Sequence, residues 1–449
     1  MTESAQATAR AGSALRASSA AELVHEIEAS VLNGAFAPGE RLPSVRSLAS
    51  QVGLSPATVA SGLAELRRRG VIVTERRRGS RIGQAPPIGA RRVPLAVPSG
   101  ARDLSRGNPD PELLPDIAAA LARCAPSGRL YGEPPMLDAL AQLARERFAA
   151  EGVRAEHVCV LSGALDAIER VLQASLRAGD TVAVEDPGYA ALYDLLRASS
   201  LQLEGVAIDD RGMLARPLER ALERGAAAVI LTPRAQNPTG AALDAERARE
   251  LREVLGRHPG VLVIEDDHLG PIAGAALHSV AGGRERWAVT RSVAKALGPD
   301  LRLALLSGDE RTVARVQGRQ QCGPGWVSHV LQALVLELWS EPAVERLVAR
   351  AERVYRQRRE LLLEQLSAHG IEAHGASGLN VWVPVAEEAS VFAALLQRGF
   401  VVAAGAPYRL TAGRPAIRVT VSTLTGAESR RLSAALAEIL AADGSSRSG

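Results

Sequence analysis

Lys295 closes the segment Ser292-Val293-Ala294-Lys295, just past an apolar run, and is followed by Pro299 and the pair Leu301-Arg302. A lysine amine at a strand end is placed to form a Schiff base with an aldehyde cofactor. A lone lysine is usually only a surface cation, so this reading depends on its companions. They recur at the ends of predicted strands, where open α/β sheets gather ligands. Asp266, in IEDDH, follows the apolar run Val261–Ile264; a buried carboxylate there would pair with a protonated pyridine nitrogen and keep the ring an electron sink. Asn237, in QNPTG, offers a donor to a phenolic oxygen, and Tyr189, after DPG, offers a ring to stack on or border the cofactor. The amides of Gly163 and Ala164 open a predicted helix, a natural anion site. Ser292 and Arg302 would complete a phosphate cup, because a guanidinium fork matches phosphate geometry. Arg418, in IRVTV, is suited to clasp the carboxylate of an amino-acid ligand. Tyr408 and Arg409 are further ligand-facing candidates, for which ordinary loop packing is at least as good an account.

A second chemistry stands near the N-terminus. Ser55, Ala57, Thr58 and Ser61 lie at the start of a predicted helix whose aliphatic residues Val59, Leu63 and Leu66 face inward. Short polar groups at a helix N-terminus contact phosphates or base edges when that helix enters a major groove. Arg46, one helix earlier, is placed to reach a phosphate or a guanine. Residues 67–81, RRRGVIVTERRRGSR, are densely basic with a single Glu. Arg76, Arg77, Arg78 and Arg81 would grip the backbone or probe the minor groove, although an arginine run alone is more often a solvated surface.

The elements that must position these groups are legible in outline. Residues 1–19 read as a mobile tail. Leu23, Ile27 and Val31 mark a first helix from residue 20, Ser44–Val52 a second, and Ser55-Pro56 caps a third. Val71–Thr74 and Ser80–Ile82 are two short strands, completing a winged helix-turn-helix over 20–83. Residues 84–102 hold four prolines and form a linker. From residue 103 to 445, strands alternate with helices: Val158–Leu161, Thr181–Val184, Ala228–Leu231 and Val261–Ile264 are strands, Leu165–Leu176 and Asp244–Leu255 helices. This rhythm specifies a largely parallel α/β sheet covered on both faces, over approximately 130–325. Long helices follow at Trp326–Trp339 and Glu341–Ser367, then a smaller α+β part over 370–445, with strands Asn380–Val383 and Ile417–Val421 around helix Glu388–Arg398. Residues 446–449 read as a disordered tail.

Composition limits the alternatives. At 449 residues and 47% apolar, the chain has room for more than one folding unit, and its formal charge of +3 is too small to prove nucleic-acid binding by itself. Its three cysteines, Cys124, Cys159 and Cys322, have neither disulfide-framework nor metal-ligand spacing, which favours the cytoplasm and no metal. An apolar leader and a membrane-length apolar run are both missing from the reading.

The stretch PGERLPSVRSLASQVGLSPATVASGLAELRRRGVIVTERRRGSRI resembles the DNA-binding domain of the GntR family of bacterial regulators. Tyr131-Gly132, SGALDAI, VEDPGY, NPTG, Asp266-Asp267 and SVAK with its downstream LR resemble, in that order, the fold-type I enzymes that use pyridoxal 5'-phosphate (PLP), the aspartate aminotransferase-like class. The resemblance implies that Lys295 is the internal-aldimine lysine, Asp266 the pyridinium partner and Asn237 the phenolate partner. It also implies that Tyr131 reaches a phosphate across a homodimer interface. Together the halves resemble the MocR/GabR subfamily. That implies a domain-swapped, head-to-tail homodimer binding an operator in double-stranded DNA, with PLP or an amino-acid-like compound as effector. The alternative is an aminotransferase acting on an amino acid, with an accessory DNA-binding domain. Three departures stand out. His268 occupies a position where that subfamily often has Tyr, and its protonation is expected to make cofactor chemistry pH-sensitive, with a purely structural hydrogen bond as the equal alternative. The LGPIA segment lacks the usual acidic and aromatic residues, and YGEPPML places Pro135 and Met136 where glycine is commoner.

Overall fold

The computed structural model describes residues 15, 17–32, 35–37, 39–68, 71–75, 79–83, 97–124 and 128–445 of the chain. They form two compact units, one within residues 1–93, 176–181 and 193–203 and the other within residues 94–175, 182–192 and 204–449.

The first unit opens with α1 (Ala20–Leu32). Ser19 Oγ accepts from Glu22 N at 3.2 Å, while Glu22 Oε2 accepts from Ser18 N at 2.8 Å, a reciprocal arrangement akin to a capping box. Helix α2 (Val45–Val52) is capped by Ser44, whose Oγ accepts from Ser47 N, and ends on Gly53 at φ +70°, where glycine avoids the Cβ penalty. Helix α3 (Pro56–Arg68) begins with proline at its first position, behind the cap Ser55, whose Oγ accepts from Thr58 N at 3.1 Å. Strands β1 (Ile72–Glu75) and β2 (Gly79–Ile82) pair antiparallel from Ile72↔Ile82 to Glu75↔Gly79. Leu23, Ile27, Leu48, Val59, Leu63, Leu66, Ile72 and Ile82 form the core. Leu15 and Ala17 also pack on it, so apolar burial ties down part of a segment that the sequence assigned to the mobile tail.

In the second unit, β3 (Arg102–Asp103) pairs with the later strand β13 (Phe400–Val401), so pairing starts at the last residue of the expected linker; residues 84–96 of that linker lie outside the described residues. The main sheet contains β4 (His157–Leu161), β5 (Thr181–Asp186), β6 (Gln202–Asp209), β7 (Gly212–Met213), β8 (Ala228–Leu231), β9 (Leu262–Asp267), β10 (Trp287–Ser292) and β11 (Ala304–Gly308). Their spatial order is β4-β11-β10-β9-β8-β5-β6-β7. Strands β5, β8, β9 and β10 run parallel, and β11 is antiparallel to both of its neighbours. Fully buried strands such as AVIL in β8 need apolar residues at every position, which is why these runs were readable. Helices Ala164–Ser175 and Ala245–Gly256 follow β4 and β8, the second capped by Asp244, whose carboxylate accepts from Arg247 N.

The expected helix Trp326–Trp339 starts later, at His329. The Gln332 side chain donates to Val327 O and Pro135 O, each at 2.8 Å, which holds the preceding residues as loop. A 27-residue helix, Pro342–Ala368, leads to the small sheet of β12 (Asn380–Pro384), β14 (Ala403–Ala404) and β15 (Ala416–Thr420) in the order β12-β15-β14. Strand β13 (Phe400–Val401) lies between them in sequence and pairs with β3 instead. Among the described residues, no helix is long and apolar enough to cross a membrane.

Candidate functional site

Lys295 sits three residues past the end of β10, in a turn before the 3-10 segment Pro299–Leu301. Its Nζ donates to Gly107 O at 2.6 Å. Burial, reinforced by the positive charge of Arg418, lowers its pKa to about 8. Asp266 lies near the end of the neighbouring strand β9, and its Oδ1 is buried with no hydrogen-bond partner. Burial, with the adjacent Asp267 carboxylate, raises the Asp266 pKa to about 7. An orphaned, nearly inaccessible carboxylate oxygen is costly unless a cation or donor completes it.

Arg302 and Gly163, two of the residues expected to hold a phosphate, lie side by side. Arg302 adopts φ +45°, and its guanidinium lies against Gly163. Gly163 has φ +105°, a conformation that favours glycine, and a Cβ there would stand 2.9 Å from Arg302 Nη2, so a larger residue would displace the arginine head. The exposed Arg302 head and the amides opening helix Ala164–Ser175 therefore share one corner, and Ser292 ends β10 with its Oγ accepting from Ala294 N. Arg418 is buried on β15, donates from Nη1 to Asn237 Oδ1 at 2.9 Å, and donates from Nη2 to Ser105 O. Its guanidinium stands 5.0 Å from the Tyr408 ring centroid, with Tyr189 close enough to favour its charge. The donor set fits the cofactor implied by the sequence: a free carboxylate oxygen for a pyridinium, a low-pKa amine for an aldehyde, and a cationic cup for a phosphate.

Two of the proposed residues behave differently. Of the two readings of His268, burial and the Lys295 charge favour the structural one over pH sensitivity, because they push its pKa down to about 4 and keep the ring neutral at physiological pH. Arg409 is not drawn to Lys295: its guanidinium lies 5.4 Å over the Trp382 ring, in a cleft lined by neither Lys295 nor Arg418. Tyr131 is 91% exposed, with its ring edge-on to Trp326 at 5.4 Å, so its polar end meets no partner within this chain's site.

Sequence reasoning missed the frame behind Asp266. Asp267 Oδ1 and Oδ2 accept from Arg234 Nε and Nη2 at 2.8 and 2.9 Å, and Oδ2 also accepts from Arg291 Nε at 2.8 Å. Glu151 pairs with both arginines from the other side. The arginines hold the Asp267 carboxyl below the ordinary range despite burial. Glu185, also buried and electrostatically coupled to Asp266, is raised to about 8, mainly by desolvation. The DD pair marked the spot, but nothing in its spacing said which aspartate would be neutralised by arginine and which left open. Gly107 and Ser105 act through backbone carbonyls, which carry no side-chain signal.

In the first unit, Arg46, Ala57 and Ser61 are exposed, as a DNA-facing surface requires, and Ser55 is exposed at the cap. Thr58 is half-buried and 2.8 Å from Ser55 Oγ, so part of its hydrogen-bonding capacity goes to the cap. Arg81 is on β2, opposite Val73, with its Nε buried and without a partner. Arg76, Arg77 and Arg78 lie outside the described residues.

Comparison with known proteins agrees with both halves. Residues 19–82 match the family described as bacterial regulatory proteins, gntR family, and residues 101–436 match aminotransferase class I and II. The vitamin B6 salvage pathway transcriptional repressor PtsJ of Salmonella typhimurium is 37% identical over 426 residues, covering 93% of this chain and 98% of the relative. The transcriptional regulator TauR of Rhodobacter capsulatus is 27% identical, over 78% of this chain and 80% of its own. Among solved structures, the α-aminoadipate aminotransferase LysN of Thermus thermophilus aligns with a TM-score of 0.68 at 25% identity, over 77% of this chain and 94% of that one. With a gntR-type helix-turn-helix ahead of a class I and II aminotransferase fold, and a relative of the same architecture along nearly its whole length, the chain belongs to the GntR-family regulators fused to an aminotransferase-like domain, the MocR/GabR arrangement.

Proposed function

We propose that this protein is a DNA-binding transcription regulator whose C-terminal unit holds PLP at Lys295 and responds to PLP itself or to an amino compound. The observation that carries the reading is the buried Asp266 oxygen without a partner, in a chain that also bears a helix-turn-helix. When bound, PLP supplies an aldehyde that captures a primary amine and a ring that withdraws its electrons. Lys295 presents the amine, and with a pKa of about 8 a useful fraction is unprotonated and nucleophilic near neutral pH. Asp266 would hold the ring nitrogen; a cation against its free oxygen favours the ionised carboxylate that burial opposes. Arg302, Ser292 and the amides of Gly163 and Ala164 would hold the phosphate, Asn237 the phenolic oxygen, and Tyr189 and His268 the borders of the ring.

Arg418, beside Tyr408, would take the carboxylate of an amino compound, at the expense of its bond to Ser105 O. Ser105 and Gly107 lie just downstream of the linker, so a ligand that takes Arg418 and Lys295 has different affinity for chains that keep or release this segment. Such differential affinity is what a regulatory response requires. On the DNA side, Ser55, Ala57, Thr58 and Ser61 at the head of α3 would meet the major groove, Arg46 a phosphate or guanine, and the wing arginines Arg76, Arg77, Arg78 and Arg81 the backbone.

The working form is a cytoplasmic, domain-swapped, head-to-tail homodimer in which Tyr131 reaches the partner's phosphate. Leu130 at 76% exposure, Tyr131 at 91% and Val330 at 46% support it, because large apolar groups left in water mark an interface. The name of the Salmonella relative supports vitamin B6 supply as the regulated process.

The test is binding of the purified protein to the DNA upstream of its own gene, titrated with and without PLP and repeated with Lys295→Ala. Specific binding that shifts with PLP in the native protein and not in the variant supports the reading. Specific binding indifferent to PLP and amines, or identical responses from the two proteins, removes the chemical switch.

A further inference from the structure

A cleft of about 280 Å³ lies in the C-terminal unit, floored by Pro187, Trp382 and Pro384, with Arg409 at its side. Among the described residues, the half-buried Arg409 guanidinium makes no hydrogen bond or ion pair; it rests over Trp382, and desolvation lowers its pKa. The acids around it, of which Asp186 and Glu372 line the cleft, spend their oxygens on other groups, although the charges of Glu388 and Asp186 favour the charged form of Arg409. Asp186 accepts from Leu410 N, Thr411 N and Thr411 Oγ1 at 3.0, 3.1 and 2.6 Å. Glu388 accepts from Ala406 N and Ala416 N at 2.8 and 3.0 Å. Glu372 is paired with Arg414 and His374, and Asp210 with His374. A partly desolvated guanidinium with its donors unspent, beside a flat indole, is a receptor for a small anion.

The cleft is walled off from the lysine. The Tyr408 ring contacts the Arg418 guanidinium on one side and stands edge-on to Trp382, 6.2 Å between centroids, on the other. Trp382 is also the cross-strand partner of Arg418 in β12–β15. We propose that Arg409 and Trp382 form a second, separate site for a small molecule bearing a carboxylate or phosphate, one aromatic wall away from Arg418.

The test uses the full-length protein loaded with PLP and freed of excess cofactor. Inorganic phosphate and malonate are titrated separately, with calorimetry and tryptophan fluorescence as readouts. Saturable binding of either is expected, and the one that binds identifies the anion class. Arg409→Gln should weaken binding by roughly 10- to 100-fold, the value of a charge-assisted bond, with Arg409→Lys in between. Trp382→Phe should remove the fluorescence response while heat is still released. Failure of both anions to saturate, or equal affinity in native protein and Arg409→Gln, overturns the proposal. The cofactor absorption band of each variant reads the Lys295 site independently, so loss of this site and loss of the PLP reading are separate results.

Discussion

Neighbouring aspartates at the end of β9 should respond in opposite ways to the same substitution. Asp267→Asn removes the charge that three arginine N–H groups are aimed at, leaving Arg234 and Arg291, each about 95% buried or more, facing only Glu151. Breaking a buried ion pair from one side typically costs about 3–5 kcal/mol. Asp266→Asn acts differently. Its carboxyl is raised from 3.8 to about 7, so the folded chain binds that proton more tightly than the unfolded chain does. The group costs nothing below about pH 4, costs progressively more as pH rises to about 7, and its cost is level above that. Three units correspond to about 4 kcal/mol at the plateau. The asparagine amide is itself unpaired, which offsets part of the gain. Asp266→Asn in PLP-free protein is therefore expected to gain about 1–3 kcal/mol at pH 8 and to be neutral or destabilised by up to about 2 kcal/mol at pH 4.5, where the relieved cost is only about 1 kcal/mol, while losing PLP affinity. Guanidinium unfolding followed by circular dichroism at both pH values measures this. If Asp266→Asn destabilises the protein as much as Asp267→Asn does, the assignment of one aspartate to structure and the other to a ligand is wrong.

His268, held near pKa 4, should add no transition of its own, so the PLP absorption of native protein and His268→Tyr should show the same pH dependence between 6 and 8; a native-only transition in that window would contradict the burial argument. Arg302→Gln should weaken PLP binding by about tenfold or more by fluorescence titration, with little change in unfolding midpoint because the exposed head supports no packing. Gly163→Ala should weaken it as well, by displacing Arg302, and a variant with native PLP affinity would show that the two do not share a cup. Ser55→Ala should cost about 1 kcal/mol in the melting of the N-terminal unit and weaken operator binding, measured by calorimetry and gel shift.

Much of this architecture was legible because it rests on local rules. Ser55-Pro56 announced α3, and unbroken apolar runs announced the central strands, because a strand buried on both faces tolerates nothing else. Lys295, Asp266, Asn237, Arg302 and Arg418 were singled out by residue type and position, and of these Arg418 lies in the middle of its strand rather than at an end. What escaped was set by long-range partners. The fate of Asp266 and Asp267 depends on arginines contributed from the ends of two other strands, residues 234 and 291. The neutrality of His268 is a product of enclosure, invisible in a string of letters. Arg409 reads like any ligand-facing arginine until its stacking partner is seen.

Strand β3 is only two residues long, yet it fixes where the chain enters the C-terminal unit. Arg102 N donates to Gly399 O, Leu104 N to Val401 O, and Thr420 N back to Leu104 O. The chain emerging from the linker is thus stitched to β13 and to β15, the strand that carries Arg418. The anchorage of the chain and the strand that carries Arg418 belong to separate small sheets that are joined through Leu104. With Leu104 hydrogen-bonded to both strands, a shift of β15 would pull directly on the segment by which the chain enters this unit.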